Sequence, residues 1–121
     1  MEKISKETKQ QSIESLQSTI RKCEKALAHM EEKGANTTLV QKRLKALSVG
    51  LAILEKQWNE RPHQYKQEEL RDAIKVLRAI IPSVKNSYDK AKEGSPQKTL
   101  LIRRIKALEL AVQAIEEALK I

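Results

Sequence analysis

Apolar residues recur along this chain at the spacing of a helix face. Ile13, Leu16, Ile20, Cys23, Leu27 and Met30 follow in steps of 3, 4, 3, 4 and 3, which puts them on one side of an α-helix. The same alternation runs through Val40, Leu44, Leu47, Leu51, Leu54 and Trp58. It returns in Leu70, Ile74, Leu77, Ile81, Val84, Tyr88 and Ala91, and again in Leu101, Ile105, Leu108, Val112, Ile115 and Leu119. Each seam is flanked by further apolar residues: Ala26, Leu39, Val49 and Ile53 beside the first two, Val76, Ile80, Leu110 and Ala114 beside the others. A stripe this wide belongs to a bundle helix, whereas a two-stranded coiled coil shows a narrower one.

Turn and cap residues set the boundaries. Gly34 and Gly94 fall just past the first and third seams, where a left-handed glycine closes a helix. Ser95-Pro96 supplies an N-cap followed by a proline suited to the first helical position. Asn36, Thr37 and Thr38 are the candidate caps of the second helix, with Thr38 and Gln41 spaced as a capping box. The predicted helices span 6–32, 37–58, 67–93 and 96–120, with the polar, Pro62-containing segment 59–66 as linker. Pro82 lies inside the third pattern and predicts a kink, because the seam continues through Val84 and Tyr88.

The pattern is stated twice. An offset of 61 residues superposes Ile13 on Ile74, Leu16 on Leu77, and Arg43-Leu-Lys-Ala-Leu47 on Arg104-Ile-Lys-Ala-Leu108, with 11 identities in the 43 ungapped positions 13–55. Such self-similarity reads as a tandem duplicated helical hairpin, residues 6–58 and 67–120. Gly50 faces Ala111 in this alignment, so a small residue stands at the same place in both copies; a close helix crossing accounts for it. Short connections make an up-down-up-down antiparallel four-helix bundle, all-α and a single domain over 1–121. Closure within one chain is favoured over two open hairpins that dimerise, with Ile80, Ile102 and Leu110 as the face such a dimer would use.

Composition supports this architecture. Charged residues make up 33% of the 121 and apolar ones 40%, with no Phe, one Trp and two Tyr, so the core is aliphatic. No apolar run approaches the ~18 residues of a membrane span. The opening Met-Glu-Lys-Ile-Ser-Lys-Glu lacks the pattern of a signal peptide, and one cysteine, Cys23, can form no internal disulfide. A cytoplasmic protein is the expectation.

Catalytic material is sparse. No seam position carries Asp, Glu or His, so the inward carboxylates of a di-metal bundle are missing. His29 points outward, His63 lies in the linker, and three isolated glycines make no phosphate-binding loop. The expectation is a protein that is not an enzyme and takes no cofactor or metal.

Charge carries the functional signal. Lys and Arg number 24 against 16 Asp and Glu, a net +8. Lys42-Arg43-x-Lys45 and Arg103-Arg104-x-Lys106 occupy equivalent places early in the second and fourth helices, and no acid occurs over 34–54 or 95–108. In an up-down-up-down bundle both clusters lie at one end. Helix starts prefer acids by ~0.3–1 kcal/mol per charge, so helix stability does not explain the arrangement. Lys42, Arg43, Lys45, Arg103, Arg104 and Lys106 are therefore the candidate site for an anionic partner, either nucleic-acid phosphates or an acidic protein. The competing reading is an adaptor, inhibitor or immunity-type bundle that binds a protein through an apolar face.

Overall fold

The computed structural model describes residues 4–120, which form four helices: α1 (Lys6–Glu32), α2 (Thr38–Asn59), α3 (Gln67–Lys90) and α4 (Pro96–Leu119). No strand occurs among the described residues. The fold is an all-α four-helix bundle around one apolar cluster fed by all four helices.

Local chemistry explains most of the boundaries. Ser5 Oγ accepts the Thr8 N–H at 3.1 Å and opens α1, as Ser95 Oγ accepts the Lys98 N–H at 3.1 Å and opens α4. α1 closes with Gly34 at φ 69, the Gly34 N–H bonded to the Glu31 carbonyl and the Ala35 N–H to the Met30 carbonyl. That pair of bonds is a Schellman closure. The α2 start departs from expectation in detail. Asn36 Oδ1 accepts the Thr38 N–H, while Thr37, at the N-cap position, takes no backbone N–H with its side chain and accepts instead from Gln41 Nε2, so no Thr38–Gln41 box forms.

α3 ends at Lys90, three residues short of the predicted 93. Ala91 is already extended, and Lys92–Ser95 form a turn closed by the Ser95 N–H on the Lys92 carbonyl, with Gly94 at φ 77 in its third position. Gly94 is thus a turn glycine and not a helix cap. Pro82 is exposed, and α3 continues through it.

The helices are not equivalent. α2 and α4 touch each other as well as both outer helices, while α1 and α3 do not touch. Nine residues of α4 and six of α2 are buried, against two of α1. Of the residues that widened the stripes, Val49, Ile53, Leu110 and Ala114 are buried, along with Ala46 and Ala107, whereas Val76 and Ile80 are half-buried and Ala26 and Leu39 are exposed. Gly50 sits where α2 meets α4. A Cβ there would stand 3.1 Å from Ala111 Cβ and 3.4 Å from Leu77 Cδ1, so glycine permits the approach. Leu110 is buried, which removes it from any surface face; among the described residues, the large apolar side chains left exposed are Leu39, Leu100 and Ile102.

The linker doubles back along α2. Arg61 pairs with Glu55 at 3.1 Å, Arg61 and Pro62 line one groove with Ser48, Leu51 and Ala52, and the Tyr65 ring sits 4.9 Å beneath Lys45 Nζ. Seven residues separate Asn59 from Gln67; extended, they reach about 23 Å. That suffices to retrace the roughly 21 Å of helix from Asn59 to Lys45. The start of α3 is thereby set beside the first half of α2.

Candidate functional site

Five of the six candidate bases line two different grooves, and Arg43 lines neither. Lys42 and Lys45 line the groove between α2 and α3, together with Lys75, Glu69 and Asp72. Arg103 and Lys106 line the groove between α1 and α4 with Thr8, Gln11 and Glu109, and Arg103 and Arg104 line its continuation beside Glu14, Arg21 and Lys22. Neither groove holds members of both clusters. The clusters thus open into different grooves, and the first turn of α3, with its acids, lies against Lys45. Arg43 and Arg104 come nearest to uniting the clusters, since both guanidinium charges act on the Cys23 thiol.

Lys45 differs from the other five bases. Its Nζ lies 2.6 Å from Glu69 Oε2, and that bond raises the Lys45 ammonium above its ordinary range. Glu69 also accepts the Lys66 N–H through Oε1 at 3.0 Å. Lys45 and this cap bond together hold its carboxyl below the usual carboxylate range. Lys42, Arg43, Arg103, Arg104 and Lys106 have no carboxylate within 4.0 Å among the described residues. Their charge is available to a partner.

Arg104 is the most constrained of them. It is half-buried, and its Nε is the one buried side-chain polar atom among the described residues with no hydrogen-bond partner. Arg21 and Lys22, which share its groove, were not among the sequence candidates. They flank the seam between Ile20 and Cys23, and that adjacency to an inward face is the signal that could have found them.

Chemistry elsewhere is muted. Burial pushes the half-buried Cys23 thiol up, and Arg43 and Arg104 offset this in part. His29 is exposed in the last turn of α1. His63 is half-buried; its Nδ1 accepts the Tyr65 N–H at 3.1 Å and its ring stacks on Tyr65 at 6.1 Å, so it shapes the linker and is not simply solvated. No three His, Cys, Asp or Glu side chains gather to hold a metal ion among the described residues, and no helix there is long and apolar enough to cross a membrane. Comparison with protein-family models, curated proteins and solved structures gave no match.

Proposed function

We propose that this is a small, non-enzymatic, cytoplasmic interaction protein whose basic surface docks an anionic macromolecule, nucleic-acid phosphate or an acidic protein segment. The observation that carries this reading is the set of five bases without carboxylate partners, Lys42, Arg43, Arg103, Arg104 and Lys106, on the first halves of α2 and α4. Arginine grips phosphate or carboxylate with two parallel hydrogen bonds, and lysine adds point charge. No stacking aromatics interleave these bases, so contact with nucleic acid is to phosphate and does not read sequence.

Charge reversal tests it. In fluorescence anisotropy with a labelled DNA duplex and with labelled polyglutamate, wild type should bind at least one probe and the Arg43→Glu/Arg104→Glu variant should lose that binding. Equal affinity of the two proteins for every probe contradicts the reading. A second reading rests on Leu39 and Leu100, which stand 61 residues apart and are each 58% exposed, with Ile102 at 45%. Docking of a protein through these side chains would survive the charge reversal and respond to Leu39→Ser/Leu100→Ser.

A further inference from the structure

The 61-residue correspondence makes the two grooves counterparts. Lys42 corresponds to Arg103, Lys45 to Lys106, and the buried Ala73 to the buried Ser12. The acids do not correspond. Glu69 and Asp72 of the α2–α3 groove align with Thr8 and Gln11 in the α1–α4 groove. One groove therefore sets two acids against Lys42, Lys45 and Lys75, with Lys45 tied to Glu69 at 2.6 Å. In the other, Arg21, Lys22, Arg103 and Arg104 line a polar stretch with Ser15 and Ser18, and none of the four has a carboxylate within 4.0 Å among the described residues. The acid there, Glu14, accepts from Gln10 Nε2, and Glu109 farther along lies 3.6 Å from Lys85.

We infer that the α1–α4 groove is a phosphate site, in which Arg104 and Arg103 grip one phosphate group and Arg21 and Lys22 close over it. This rests on the reading of the basic surface above and locates its strongest point. Two independent observations converge on it: four bases from two helices around one groove, and the unpartnered buried Nε of Arg104. A buried donor without an acceptor is costly and rare. An oxyanion taking Nε and a terminal nitrogen together satisfies it in the side-on geometry arginine offers to phosphate. Nε is sealed from water as the groove stands, so the ligand reaches it only when the Arg104 side chain or a neighbour shifts. The phosphate group is the same whether it belongs to a nucleic-acid backbone or is free, and the probes separate those sources.

The test is an NMR titration of the full chain with inorganic phosphate against chloride at matched ionic strength, paired with anisotropy on a DNA duplex. Saturable amide shifts should centre on Ser15, Ser18, Arg103 and Arg104. Arg104→Gln should weaken phosphate by about tenfold or more, the change for one lost charge-assisted hydrogen bond. Arg104→Lys should recover part of the loss, and Lys75→Gln, in the α2–α3 groove, should bind as wild type. Circular dichroism establishes that each variant is folded. If the duplex also binds through Arg104, the source is nucleic acid; if phosphate alone binds, the source is a free phosphate and the macromolecular reading falls while the groove stands. Shifts spread evenly over both grooves, or an Arg104→Gln variant that binds as wild type, overturn the groove assignment. Polyglutamate binding with no phosphate response overturns it too, yet leaves the basic-surface reading intact; silence from every probe overturns both.

Discussion

Glu60 is the one non-glycine residue among those described with a positive φ, 56, and it closes α2 through its N–H to the Glu55 and Lys56 carbonyls. A Cβ in the left-handed region costs roughly 1–2 kcal/mol, and Glu60 is exposed. Glu60→Gly should therefore raise stability by about 1 kcal/mol in a urea titration; a loss would mean that the Glu60 side chain contributes more than its backbone costs. Arg104 is the opposite case, strained by a missing acceptor and not by its backbone. Its place in the sequence, beside Arg103 at an early position of a helix, marked it as basic. Its buried Nε was not legible there, because it depends on how Arg104 sits in the groove between α1 and α4, whose register no local pattern encodes.

At the scale of elements, the crossing of α2 and α4 organises the bundle. Gly50 costs about 1 kcal/mol of helix propensity relative to alanine, yet an added Cβ would press on Ala111 Cβ at 3.1 Å. Gly50→Ala should accordingly fail to stabilise, and Ala111→Gly in the same chain should relieve the contact; a double-mutant cycle should return a favourable coupling. A gain of about 1 kcal/mol from Gly50→Ala alone would show that the helices do not approach this closely. The helices themselves were legible, since unbroken apolar steps and cap residues such as Ser95-Pro96 act within a few positions. Three features were not. The early end of α3 depends on a turn that draws Lys92 and Glu93 out of the helix. The central place of α2 and α4 lay in Ala46, Val49, Ala107 and Leu110, a second apolar stripe beside a seam that looked alike in all four helices. The path of 60–66 has no periodicity, and its return along α2 is fixed by Arg61 on Glu55 and Tyr65 under Lys45.

Over the whole molecule, that return path decides where charge is free. It carries Glu69 to Lys45, so one cluster opens into a groove that holds acids and pairs Lys45, while Arg103 and Arg104 open into a groove where neither has a carboxylate partner among the described residues. The sequence displayed the net charge and the paired clusters; which bases would be quenched depended on contacts between helices. Five bases remain without carboxylate partners from the six expected, and the account stands on their meeting an anionic partner. The dependence of binding on salt measures this most directly. For the probe that wild type binds, DNA duplex or polyglutamate, affinity should be followed between about 50 and 200 mM salt. Release of counterions from five phosphate contacts predicts a fall on the order of 10²–10³-fold for the duplex over that range, linear in a double-logarithmic plot. Binding that changes by less than about twofold there would place the contact on apolar side chains and contradict the account.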